Sequence, residues 1–305
     1  MLMLSRRVFA CSCLALSIGL TGAARGAEPV KVLIVDGQNN HNWKALTPPI
    51  KAALEETGRF KVDVATTPPA KAPKEQWDKF RPDFSKYDVV MSNYNGERWP
   101  EPVEKSFEEF VKNGGGAVIV HAANNAFEGW GAYNDMIGLG WRGADFGDRV
   151  TVDDNGKPVI TPKGEGPGAG HGAPHAYKIR AQDPDHPILK GLPREWLHAK
   201  DELYHGQRGP AKNMHILATA YSDKSKGGTG ANEPMLWTIP YGKGRVVTDV
   251  MGHTSGDDII AIRCVGFLTT LERATEWAAT GQVTLPAPAD FPNAENVSLK
   301  GEETK

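Results

Sequence analysis

The chain has 305 residues, of which 40% are hydrophobic and 24% are charged, a balance typical of a folded protein with a sizeable core rather than of a disordered one. The formal net charge is only −2 and no cluster of basic residues stands out, so nucleic acid is not an expected partner. Beyond residue 27 the one cysteine is Cys264, which excludes a disulfide framework.

Residues 1–27 have the pattern of an export signal. Arg6 and Arg7 precede an apolar run, and small residues follow it as far as Ala27. The segment SRRVF, residues 5–9, resembles a twin-arginine signal, which exports folded proteins. The apolar run is too short for a comfortable membrane span. We therefore predict an exported, periplasmic protein with no stable membrane span after signal removal.

Strand and helix patterns alternate through the first half of the remaining chain. Short apolar runs predict strands, and amphipathic periodicity predicts the helices between them. The strands are Lys31–Asp36, Phe60–Ala65, Tyr87–Ser92 and Ala117–Val120, and the helices are Leu46–Thr57 and Glu101–Lys112. Such alternation favours a parallel sheet covered by helices. We predict an α/β fold with three layers and a mostly parallel central sheet.

The pattern changes after Asp148. Short strands at 149–153, 159–160 and 177–180 surround a Gly- and Pro-rich loop at 163–174, and further strands follow at 214–221, 235–240 and 245–250. Residues 257–279 predict one long final helix. We therefore expect one domain over residues 28–281, followed by a flexible C-terminal tail at 282–305.

Several predicted strands are followed directly by polar side chains. His41 comes after the first strand, Asn93 after the third, His121 after the fourth and His253 after the last. Because the carboxyl ends of parallel strands meet at one edge of a sheet, these side chains should converge there. Three of them are histidines, whose imidazoles titrate near neutral pH.

The segment DELY, residues 201–204, adds carboxylates and a phenol. In a strand, Glu202 and Tyr204 would share one face, and Glu202 could act as a general base or orient an imidazole. We predict His121, Glu202 and His253 as catalytic residues. The same three side chains are the candidate ligands if a divalent metal ion takes part, although nothing in the sequence requires a cofactor.

Aromatic and amide side chains in the same loops suit a sugar, because aromatic rings stack on its C–H faces while polar groups bond its hydroxyls. The predicted substrate-binding residues are His41, Asn93, Asn125, Trp130, Tyr133, His175, Asp201 and Tyr204. His171 and His175 have a metal-ligand spacing, but Pro174 excludes the helix that would align them. A loop carrying one useful histidine is the better interpretation.

These segments together resemble the ThuA-like (trehalose utilization) family, which has the class I glutamine-amidotransferase-like fold. The resemblance covers about residues 31–279 and is strongest in GGGAVIVHAANNAFEGWGAYNDMIG, DPDHPILKGLP, DELY and YGKGRVVTDVMGHT. It implies functional roles for His121, His253 and the Asp201, Glu202 and Tyr204 motif, and for either His171 or His175. One departure is Glu233, where the family often has a histidine. The amidotransferase cysteine is missing, so the fold implies architecture only.

The function predicted from the residues and the resemblance is that of an exported carbohydrate-active protein. A hydrolase or lyase acting on a disaccharide or a 3-keto glycoside is favoured, with acid–base or metal-assisted chemistry. A non-catalytic periplasmic sugar-binding protein is the alternative. A cysteine-dependent hydrolase or amidotransferase would require Cys264 to lie beside His121.

Overall fold

The computed structural model describes residues 28–302, so the predicted export signal lies outside the described residues. Five parallel strands form one end of the sheet. They are β1 (Val30–Asp36), β2 (Phe60–Thr66), β3 (Val89–Ser92), β4 (Gly116–Val120) and β13 (Gly244–Asp249), in the order β2-β1-β3-β4-β13. Their register pairs Val32 of β1 with Val62 and Val89 on either side. The predicted parallel α/β sheet is confirmed.

Antiparallel strands extend this sheet beyond β13. The order continues through β12 (Asn232–Tyr241), β11 (His215–Tyr221), β8 (His175–Ala181) and β9 (Glu195–Asp201). A hairpin of β5 (Arg149–Val152) and β6 (Pro158–Thr161) joins the edge of β12 through Asn232 and Val152. Two short strands, β7 (Gly170–His171) and β10 (Tyr204–His205), form a separate pair.

Helices cover both faces of the sheet and give the three layers. Alternate residues of each strand point to opposite faces, so Val32 and Ile34 belong to one core cluster, and Leu33 and Val35 to the other. The first cluster includes residues of α1 (Trp43–Glu56) and α6 (Val265–Thr280), and the second those of α3 (Glu101–Lys112) and α4 (Gly131–Ile137). The short helices α2 (Lys74–Lys79) and α5 (Ile260–Arg263) complete the fold.

The predicted long final helix is two helices. Residues 257 and 258 lie in a turn, and Cys264, with φ −61° and ψ 119°, separates α5 from α6. The backbone there bonds a distant part of the chain, since Val265 N donates to Ser298 O and Lys300 N donates to Arg263 O. These long-range bonds replace helical ones, which an apolar periodicity cannot reveal.

Residues 282–302, for which the composition predicts a flexible tail, pack along the domain. Apolar side chains of the segment contact the first core cluster: Val283, Leu285, Phe291, Val297 and Leu299. The buried Glu276 carboxylate accepts hydrogen bonds from Thr284 N and Leu285 N at 2.7 and 3.1 Å. Leu197 N donates to Asn293 O at 2.7 Å.

Candidate active site

His121 follows β4 and opens a 3₁₀ turn with φ of 45°, a left-handed conformation that is uncommon for a residue with a side chain. This backbone buries the imidazole at the carboxyl edge of the parallel strands. Its Nδ1 lies 2.8 Å from Val250 O, a carbonyl that can only accept, so Nδ1 carries the proton. Nε2 is therefore the unprotonated nitrogen, and the Tyr204 hydroxyl donates to it at 3.1 Å.

Glu202, directly after β9, lies at the centre of the site. Its Oε2 is 3.8 Å from His121 Nε2. Its Oε1 is 3.3 Å from both His253 Nε2 and His171 Nε2. The carboxylate is largely buried. The side chains of His121, His171 and His253, from three other parts of the chain, therefore meet around Glu202.

His41, from the loop after β1, completes the cluster. Its ring centroid lies 4.8 Å from that of His121 and 4.7 Å from that of His253. One ligand-type atom from each of His41, Glu202 and His253 lies within 4.8 Å of the other two. The rings of His121 and His253 are 5.6 Å apart, so the predicted histidines do share one site.

Burial governs the protonation of these groups. It lowers the pKa of His41 to about 4 and that of His121 to about 3, and it also lowers the pKa of His253. Burial raises the pKa of the Glu202 carboxyl. Near pH 7 the imidazoles of His41 and His121 are neutral, so each carries one nitrogen lone pair.

Asn93 and Asn125 hold the site's loops and side chains. Asn93 is buried, and its amide donates to Thr47 and accepts from Asn39, whose own side chain accepts from His41 N at 2.9 Å. The side chain of Asn125 contacts the Tyr204 hydroxyl. Asn93 thus fixes the loop that carries His41.

Two of the predicted sugar-binding aromatics are core residues instead. Tyr133 is fully buried, and its hydroxyl donates to Ala123 O at 2.8 Å. Trp130 stacks on Tyr133 and is buried against Phe107 and Phe127. Because α4 covers the sheet, its aromatic face points inward rather than toward the site. Trp141, which is half-buried, contacts Tyr204 and His171 at ring distances of 4.6 and 5.8 Å.

Asp201 lies behind the site rather than in its binding surface, so its predicted contact with substrate is corrected. It is fully buried and accepts from the backbone N–H groups of Glu202, Gly252 and His253 at 2.7, 2.8 and 3.0 Å. His198 Nε2 donates to the same carboxylate at 2.7 Å. Asp201 therefore fixes the backbone of both Glu202 and His253. The side chains of Glu202 and Tyr204 both face His121, on the shared side that the sequence predicts.

The Gly- and Pro-rich loop brings His171, not His175, to Glu202. His171 Nδ1 donates to Gly172 O at 2.7 Å, which leaves Nε2 directed at the carboxylate. His175 begins β8 and donates to Ala173 O at 2.8 Å. The fully buried Arg208 holds the loop by donating to backbone carbonyls of Gly147, Pro162, Glu165 and Pro167.

Sequence reasoning did not find His198 or Arg208. Both are single polar residues within otherwise ordinary segments, and neither belongs to a motif.

Cys264 is buried beside His198, whereas His121 belongs to the cluster around Glu202. Although burial opposes it, the neighbouring imidazole lowers the pKa of the Cys264 thiol, so Cys264 pairs with His198 and not with His121.

The fold and the site define an α/β protein of the flavodoxin-like type, with a histidine and glutamate centre above the carboxyl ends of its parallel strands. The chain belongs to the ThuA family, described as trehalose utilisation, whose family model matches residues 31–278. Within residues 28–302 no helix combines the length and apolar character needed to cross a bilayer.

Solved structures agree with this assignment. The chain is similar to a ThuA-like protein from Parabacteroides merdae, with 44% identity, a TM-score of 0.85 and coverage of 90% of this chain and 98% of that one. A ThuA-like protein from Bacteroides uniformis shares the fold at 18% identity, with a TM-score of 0.53 and coverage of 87% and 98%. A search of curated proteins found no match.

Proposed function

We propose that this protein is an exported enzyme that acts on a disaccharide or a keto-glycoside, with His121 as the group that transfers the proton. The observation that carries the proposal is the unprotonated Nε2 of a buried imidazole, which accepts a hydrogen bond from the Tyr204 hydroxyl at 3.1 Å and lies 3.8 Å from Glu202. Because this imidazole is neutral near pH 7, it carries the lone pair that a general base needs. The carbohydrate substrate is suggested by the trehalose utilisation described for the family.

A keto-glycoside suits this base because the carbonyl acidifies the neighbouring C–H group. His121 Nε2 takes that proton, and the C–H electron pair forms an enolate. The enolate expels the glycosidic oxygen from the next carbon, and the imidazolium returns the proton to the leaving oxygen. The products are an unsaturated keto sugar and a free sugar, and addition of water to the former completes a hydrolysis.

Burial of several titratable groups within reach of one another favours an enzyme over a sugar-binding protein. His253 and Glu202 are 3.3 Å apart, and both line the space beside His121. A binding protein has no need of such perturbed, mutually close groups.

The proposal of export rests on Arg6, Arg7 and the apolar run that follows them. The periplasmic fraction of a producing cell should therefore contain the protein.

The test is turnover of oxidised and unoxidised disaccharides by the protein lacking residues 1–27, followed by mass spectrometry. We expect product from the 3-keto substrate and a loss of about 10²–10⁴-fold in kcat for His121→Ala. His215→Ala, which alters a half-exposed histidine bonded to Asp183, is the matched control and should retain turnover. Full turnover by His121→Ala would refute the role of His121. Tight sugar binding without product would favour a binding protein.

A further inference from the structure

The carboxylate of Glu202 is approached by the ring nitrogens of three histidines. His171 and His253 both direct Nε2 at Oε1 from 3.3 Å. His171 Nδ1 donates to Gly172 O at 2.7 Å, so Nε2 is the ring nitrogen that faces the carboxylate. Among residues 28–302 no side chain makes a hydrogen bond of good geometry to the Glu202 carboxylate.

Imidazole nitrogen and carboxylate oxygen are together the ligand set of divalent first-row transition metals. We propose that His41, Glu202 and His253 bind one such ion, such as Zn²⁺, Mn²⁺ or Co²⁺. The ligands expected from the sequence include His121, but His41 lies with Glu202 and His253 in its place.

The distances fit one ion. Two atoms each about 2.1 Å from the same ion are at most about 4.2 Å apart, so the 3.3 Å between His253 Nε2 and Glu202 Oε1 is already suitable. The three ligand-type atoms all lie within 4.8 Å of one another, so their largest separation exceeds this limit by at most about 0.6 Å.

The ligand side chains are also supported from behind, as metal ligands usually are. Asp201 accepts from the backbone N–H groups of Glu202 and His253. The His41 ring bonds the backbone of Thr254, and the His41 backbone N–H donates to Asn39. Only three ligands come from the protein in this set, which leaves positions open to water or substrate, as in catalytic sites.

His121 is not needed as a ligand, because its Nε2 accepts from Tyr204 and its Nδ1 donates to Val250 O. A bound divalent cation polarises a carbonyl oxygen and so stabilises the enolate. This role rests on the proposed function, whereas the metal site itself does not. His121 then remains free to move the proton next to the polarised group.

The test is isothermal titration of the chelator-treated protein, lacking residues 1–27, with ZnCl₂, MnCl₂ and CoCl₂ in turn. We expect one ion per chain for at least one metal, with Co²⁺ giving a visible absorption band from its nitrogen ligands. His41→Ala, His253→Ala and Glu202→Gln should each weaken binding by more than the roughly 10–100-fold that loss of an outer-shell partner costs.

His215→Ala is the matched control, and both it and His121→Ala should bind the metal as the parent protein does. Circular dichroism confirms that each variant is folded before titration. Absence of saturable binding, or equal binding by the His41→Ala, His253→Ala and Glu202→Gln variants, would overturn the site. Metal affinity lost in His121→Ala but kept in His41→Ala would also overturn this ligand set. A protein that binds the ion but forms no product would refute the proposed function alone.

Discussion

Asp201 accepts four hydrogen bonds with its two carboxylate oxygens, three of them from backbone N–H groups and one from His198. Burial opposes the charge of His198, but Cys264 and Asp201 together raise its pKa to about 10. Burial likewise opposes the charge of Asp201, and the hydrogen bond from His198 nevertheless lowers its pKa. A buried ion pair therefore supports the site from behind.

Asp201→Asn should destabilise the protein by about 3–5 kcal/mol, because it leaves the His198 imidazolium buried without its partner. Urea unfolding at pH 7 measures this loss. Adding His198→Gln to the same variant removes the uncompensated charge and should restore part of the stability. A loss below about 1 kcal/mol for Asp201→Asn would show that the pair is not charged.

At the level of elements, the parallel strands and α3 lie where the periodicity predicts them, since each buries a regular apolar face. The segment after β13 departs from that pattern because α5 and α6 are separated at Cys264 by bonds to residues 298–300. The same packing half-buries Glu272 on α6. Burial raises the pKa of its carboxyl to about 7, although Lys300 opposes the shift.

Glu272→Gln should stabilise the protein at pH 8 but not at pH 4. The carboxyl titrates near 4.5 in the unfolded chain and near 7 when folded, so the unfolded state loses its proton first as the pH rises. As the pH rises from 4.5 to 7, the parent protein therefore loses about 1–3 kcal/mol of folding stability. The Glu272→Gln variant, whose side-chain amide does not titrate, avoids that loss.

Urea unfolding of both proteins at pH 4 and pH 8 measures the difference for Glu272→Gln. The exposed Glu75 on α2 provides the matched control, and Glu75→Gln should change stability little at either pH. An equal effect of Glu272→Gln at both values would contradict a raised pKa.

At the scale of the whole molecule, the C-terminal segment belongs to the same folded unit as the sheet. Phe291 packs against the fully buried Trp196 of β9 with ring centroids 5.5 Å apart, in an edge-to-face arrangement. Val265 and Arg263 bond the same segment through their backbones. The segment thus covers the antiparallel end of the sheet and the start of α6.

Phe291→Ala should cost about 2–3 kcal/mol, less than for a fully buried phenylalanine because the ring is half-exposed. Unfolding followed by far-UV circular dichroism and by tryptophan fluorescence should still coincide in one transition, since the segment unfolds with the domain. Asp290→Ala, at an exposed neighbour, is the control. An equal, small effect of both substitutions would mean that the segment contributes little.

The sequence by itself determined the parallel strands, the helices α1 and α3 and the meeting of His41, His121 and His253 at one edge of the sheet. Local periodicity fixes strands and helices, and parallel topology brings the strand ends together whatever lies between them. Tertiary structure alone decided that Tyr133 is core, that Asp201 supports rather than binds, and that His171 reaches Glu202. Those roles depend on which side of a backbone faces a distant segment, and neither periodicity nor spacing encodes that choice.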